Sequence, residues 1–98
     1  MHTIDITLDN YQLVLLGSLT RQTVTKDFER KSYALLTQKE HTLNLAKVIK
    51  ADTAGLAWVL VMFEHAVKES IQLKITNIPT ELMKLAKLTA VDSFLPFE

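Results

Sequence analysis

Asp52-Thr53-Ala54-Gly55-Leu56, running straight into Ala57-Trp58-Val59-Leu60-Val61-Met62-Phe63, is the stretch on which the fold turns. Before it, Thr42-Leu43-Asn44-Leu45-Ala46 reads as a strand, and Lys47 to Ala51 as the loop between. Asp and Thr at such a junction are the types that cap a helix, because a side-chain oxygen accepts from an unpaired backbone N–H. A hydroxyl there is also well placed for phosphorylation or for contact with a partner. Gly55 lets another backbone come close. The helix is expected from about Thr53 to Glu69. At 100° per residue, Leu56, Val59, Leu60, Phe63 and Val67 share a face that should bury against a sheet. Ala54, Trp58, Val61 and His65 point the opposite way, with Met62 beside them, where a surface helix should be polar. Two readings follow. Another helix covers that side, or an apolar patch centred on Trp58 stands open for a protein partner.

Working outward, Thr3-Ile4-Asp5-Ile6-Thr7-Leu8 alternates with period two and reads as a half-buried strand. Asp9-Asn10 makes a tight turn, since both types tolerate positive φ. Tyr11 to Leu16 is a second strand; its centre, Leu13-Val14-Leu15-Leu16, is continuously apolar, which fits cover on both faces. Gly17 ends it. Thr23 to Leu36 reads as a solvated amphipathic helix, with Val24, Phe28, Leu35 and Leu36 near one face. Gln38 to His41 is a polar loop with His41 exposed. Ile71 to Thr76 is the fourth strand. Asn77-Ile78-Pro79-Thr80 turns the chain into a third helix, Glu81 to Thr89, with Leu82, Leu85, Ala86 and Leu88 inward. The tail from Val91 to Glu98 is apolar enough to dock. The fold class is α/β: a small mixed sheet with packed helices in the order β-β-α-β-α-β-α. Strands joined through helices should be parallel with right-handed crossovers.

The totals narrow the function. Ninety-eight residues, 48% hydrophobic and 22% charged, make one globular domain. Eleven basic and eleven acidic residues balance, which argues against nucleic acid as the main ligand. There is no cysteine, so disulfides, thiol catalysis and thiolate metal sites are excluded. The longest apolar run is about half the ~20 residues that span a bilayer. The first residues lack the basic and apolar regions of a signal peptide, so a cytoplasmic location is expected, without membrane insertion. Of the three histidines, His2, His41 and His65, none has a metal-ligand spacing partner. Gly17 and Gly55 are the only glycines, too few for a phosphate-cradling loop. Ser18, Ser32, Ser70 and Ser93 lack a nucleophile elbow, and Asp52 and Thr53 lack an evident adjacent base. No enzyme, metal or cofactor is expected.

Strand, loop, Asp-Thr-Ala-Gly-Leu and a long apolar helix together resemble the signature of the STAS domain, the fold of anti-sigma factor antagonists and of sulfate-transporter tails. Leu43, Leu45, Val48, Asp52, Thr53, Gly55 and Leu56 carry the match, and Gly17-Ser18-Leu19-Thr20 is a second, weaker one. The resemblance covers nearly all of residues 1–98, as a single, free-standing STAS domain. Within the family the chain is most similar to the small cytoplasmic STAS subunit of phospholipid-transporting ABC complexes that maintain outer-membrane lipid asymmetry. There Thr stands at the position of Thr53, within the segment matching Asp52 to Ala57. Leu85-Ala86-Lys87-Leu88 ahead of Leu95-Pro96 is also similar. That resemblance implies a non-catalytic subunit, peripheral at the inner membrane through its partner, binding neither ATP nor lipid. It would bind the ABC ATPase through the start of helix two and support its assembly or activity. The contact residues expected are Asp52, Thr53, Ala54, Gly55, Ala57, Trp58, Val61 and Met62. The alternative is an anti-sigma factor antagonist phosphorylated at Thr53. Antagonists usually carry Ser there, a second hydroxyl where Ala54 stands, and Asp where Asn44 stands.

Overall fold

The computed structural model describes residues 3–93, 95 and 96. The docking expected for Phe94, Phe97 and Glu98, and the place of His2, lie outside the described residues. The elements are β1 (Ile4–Asp9), β2 (Gln12–Leu19), α1 (Lys26–Ala34), β3 (Glu40–Ala51), α2 (Thr53–Lys68), β4 (Gln72–Thr76) and α3 (Thr80–Leu88). The expected order β-β-α-β-α-β-α is the observed one. The four strands form one sheet in the order β1-β2-β3-β4. β1 and β2 are an antiparallel hairpin, and the helix-joined pairs β2–β3 and β3–β4 are parallel.

Only one face of the sheet is covered. Ile6, Leu13, Leu15, Leu43, Leu45, Leu73 and Ile75 are buried beneath the helices, while Asp5, Thr7, Leu16 and Lys74 are exposed. The expectation that β2 is covered on both faces is therefore wrong. Leu16 is 56% exposed and Val14 half-buried, because the helices cover only the face that carries Leu13 and Leu15. The three helices stand in a row with α2 in the middle, in contact with α1 and α3. That place explains its composition. It has the sheet beneath it and a helix on either flank, so most of its circumference is core.

Several boundaries differ from the sequence reading. β2 continues through Gly17, which has φ +119, to Leu19, and Ser18 N–H bonds the Thr3 carbonyl at 2.8 Å. The hairpin loop is Asn10-Tyr11, one residue later than expected, with Asn10 at φ 63. β3 runs on through the supposed Lys47–Ala51 loop. Its register against β2 slips twice, between Val14 and Leu16 and between Gly17 and Ser18, so the period-two pattern is lost. α1 is shorter than Thr23–Leu36. Thr25 caps it by accepting from Phe28 N–H at 3.2 Å, while Thr23 is used before the helix, its hydroxyl donating to the Ser18 carbonyl at 2.7 Å. Leu88, expected inward, is 82% exposed, whereas Leu82 and Ala86 of the same helix are fully buried. The tail docks as expected where it is described: Leu95 is buried, and Ile75 N–H donates to the Pro96 carbonyl at 2.9 Å.

Candidate partner-binding site

The start of α2 is built from three local constraints. Asp52 is extended and caps the helix, accepting from Gly55 N–H through Oδ1 at 3.0 Å. Its second oxygen accepts from Arg21 N–H at 3.1 Å, and Asp52 N–H reaches the Leu19 carbonyl at 3.3 Å. One carboxylate thus ties the loop after β2 to the helix N-terminus. Gly55 is the second constraint. A Cβ there would fall on the carbonyl oxygen of Leu19, so helix and strand end touch backbone to backbone. The third is the preceding strand, whose last residue, Ala51, pairs with Leu19 and delivers the helix to that spot.

These constraints sort the eight expected contact residues. Gly55, Trp58 and Met62 are buried. Asp52 and Ala54 are half-buried, and Thr53, Ala57 and Val61 are exposed. The open patch centred on Trp58 is thus corrected. α1 covers that side, with the Phe28 ring 5.3 Å from Trp58 and tilted by 37°. Farther along, Tyr33 of α1 stacks on His65 at 4.1 Å. Near its start, α2 leaves open a narrow ridge, Thr53, Ala57 and Val61, one turn apart and therefore on one line; Glu64, Val67 and Lys68 are exposed toward its end. Thr53 is the first helical residue rather than the cap, and its hydroxyl is unengaged by any hydrogen bond within the described residues. No acidic side chain lies in the first turn itself, but the Asp52 carboxylate at the cap, next to Thr53, already meets the positive end of the helix dipole.

The opposite pole holds a recess of about 940 Å³ between Tyr11, Gln38, His41 and Gln72. His41 is buried there, not exposed as expected. Gln38 N–H donates to its Nε2 at 3.0 Å, which leaves Nδ1 to carry the proton and donate to the Tyr11 carbonyl at 2.8 Å. With both ring nitrogens engaged, His41 is a strut between strand ends. No residue pattern announces this role, because both of its partners are backbone groups. Among the described residues no cluster of three or more His, Asp or Glu could hold a metal ion. No helix of the described chain is long and apolar enough to cross a membrane.

A family model described as MlaB, STAS domain matches residues 2–96. No curated protein sequence matches the chain. The fold is shared with solved structures at low identity. An anti-sigma factor antagonist from Mycobacterium paratuberculosis superposes with a TM-score of 0.72 at 15% identity, over 96% of this chain and 82% of that one. The anti-sigma factor antagonist SpoIIAA in its unphosphorylated form gives 0.68 at 12% identity, over 97% and 87%. The STAS domain of a SulP transporter from Vibrio cholerae gives 0.55 at 16%, over 94% and 77%. At these identities the likeness is one of fold. The family follows from the matched model, which takes in nearly every residue from the hairpin to the docked tail: the chain belongs to the STAS-domain family, in its MlaB-like branch.

Proposed function

We propose that this domain is a non-catalytic interaction subunit that binds the ATPase of a phospholipid-transporting ABC complex and supports its assembly or activity. The ridge of Thr53, Ala57 and Val61 carries the reading: a small, flat, mostly apolar surface at the signature helix, left open after sheet, α1 and α3 have taken the other sides. Asp52 and Gly55 serve the contact indirectly, by fixing where that ridge stands. The MlaB-like branch supports the choice of partner. The domain then sits at the inner membrane only through that partner, with no lipid-inserted part of its own.

A second reading has its own observation. The exposed Thr53 hydroxyl at a helix N-terminus, on a fold shared with anti-sigma factor antagonists, is a place where phosphate would be stabilised by the helix dipole. In that reading Thr53 is a switch. In the preferred one it is a constitutive contact. Capture of the ATPase subunit with wild type, Thr53→Ala and Thr53→Glu separates them. Both variants fold, since Thr53 is exposed and acidic residues suit the first turn. The contact reading expects Thr53→Glu to capture less ATPase than Thr53→Ala. Equal capture by wild type and Thr53→Glu removes Thr53 from the contact. Stoichiometric phosphate on Thr53 in protein isolated from cells favours the switch.

A further inference from the structure

β3 outruns its neighbour. It spans Glu40–Ala51, and β2 accompanies it to Ala51. β4 pairs with it only from Glu40 to Asn44. Beyond Asn44, no strand among the described residues lies on that side of β3. The chain closes off the end of the pairing with one side chain: Asn44 Oδ1 accepts from Ala46 N–H and from Asn77 Nδ2, each at 3.0 Å. The outer edge of β4 is treated differently, since the Pro96 carbonyl takes the Ile75 N–H. Apart from that Ala46 bond, the rest of β3, from Leu45 to Ala51, has no strand paired on this side among the described residues.

Bare edges invite pairing, and lysines and bulges are the usual guards. Lys47 and Lys50 are on this segment, both exposed, and neither has an ion pair among the described residues. Between them stands Ile49, 78% exposed. A segment that only had to repel strands would not need an isoleucine at its most open point. The lysines also set a sign. A second copy of this edge would bring Lys against Lys, whereas a strand carrying carboxylates meets complementary charge.

We propose that the β3 edge from Leu45 to Ala51 receives an extended acidic segment of a partner protein. It adds as a strand beyond the end of β4, pairs through its backbone, sets carboxylates against Lys47 and Lys50, and lays an apolar side chain on Ile49. Backbone pairing supplies affinity in this mode, and the side chains of Lys47, Ile49 and Lys50 supply specificity. The surface lies directly before Thr53, but the inference goes beyond the reading above and holds whether or not the partner is an ATPase.

The test selects a displayed library of peptides, each about six residues long as strands usually are, on the full chain. The double variant Lys47→Glu/Lys50→Glu is selected in parallel. Both side chains are exposed, so the variant keeps its fold, checked by circular dichroism. Wild type is expected to enrich acidic peptides that carry an apolar residue. Charge reversal should weaken the best of them at least about tenfold. Ile49→Ser should weaken it too while leaving the melting temperature unchanged. Hydrogen exchange at Leu45–Ala51 should slow when the peptide is bound. No enrichment, the same peptides on both proteins, or protection elsewhere would overturn the proposal. So would a dimer broken by the double variant, or binding of phosphatidylglycerol vesicles lost with it, since these assign the edge to a second copy or to lipid. None of these outcomes bears on capture of the ATPase, so the two readings fail separately.

Discussion

Gly55 occupies a position where helix propensity and packing disagree. In an exposed helix, Ala would be better than Gly by about 1 kcal/mol. Here a Cβ would meet the Leu19 backbone, which cannot step aside without disturbing the end of β2. Gly55→Ala should therefore destabilise the domain, by about 1–3 kcal/mol as overpacking does. Urea unfolding measures it, and a gain in stability would show that the contact yields. Thr53 behaves in the opposite way. Asp52 holds the cap, so Thr53→Ala should change stability by no more than about 0.5 kcal/mol, as exposed substitutions do. Tyr33 adds a pH dependence. Its hydroxyl donates to Glu29 Oε1 at 2.7 Å, and burial, together with the Glu29 carboxylate, raises its pKa to about 12. The neutral phenol is thus favoured in the folded chain. Its contribution is complete below the ordinary tyrosine value, near 10, and is lost as pH rises toward 12. Melts between those limits should decline less in Tyr33→Phe than in wild type; identical slopes would contradict it.

Among the elements, α2 shows how far a periodic pattern can be read. Its length, cap and sheet-facing residues Leu56 and Val59 were legible from spacing. The fate of its other side was not, because periodicity reports that a face is apolar and not what covers it. Phe28 and Tyr33 of α1 decide that, through contacts with residues more than two dozen positions away. Hence Trp58→Ala should cost about 3–5 kcal/mol of stability, as loss of a core aromatic does. Material that does fold should keep its affinity for the partner. The helix ends were located without their usual mark. α2 and α3 both close with the paired bonds of a Schellman motif, Ile71 N–H to Ala66 and Ser70 N–H to Val67, then Val91 N–H to Ala86 and Ala90 N–H to Lys87. Ser70 at φ 59 and Ala90 at φ 59 stand where Gly is usual. Ala90→Gly should therefore stabilise the domain by about 1 kcal/mol, the strain of an L-residue in that conformation. β3 was the least legible element. Its two register slips, one between Asn44 and Lys47 and one between Val48 and Lys50, break the alternation beyond Leu45.

At the scale of the whole molecule, one asymmetry organises the account. A sheet that progresses in a single direction, β1-β2-β3-β4, carries its helices on one face. The middle helix is then enclosed on three sides, and from its start to Val61 the exposed residues are Thr53, Ala57 and Val61, on one line. The STAS signature at Asp52 to Leu56 is thus mostly architecture. The carboxylate and the glycine place the helix, and in the proposed complex Thr53, Ala57 and Val61 are the residues that would meet the partner. The direct measurement is a calorimetric titration of the ABC ATPase subunit into wild type and into Ala57→Asp. That variant puts one charge at the centre of the ridge and touches nothing in the core. The variant should fold and bind with an affinity weaker by about 2 kcal/mol or more, the loss of a central interface contact. Equal affinity of the two proteins, or no binding by wild type, would contradict it.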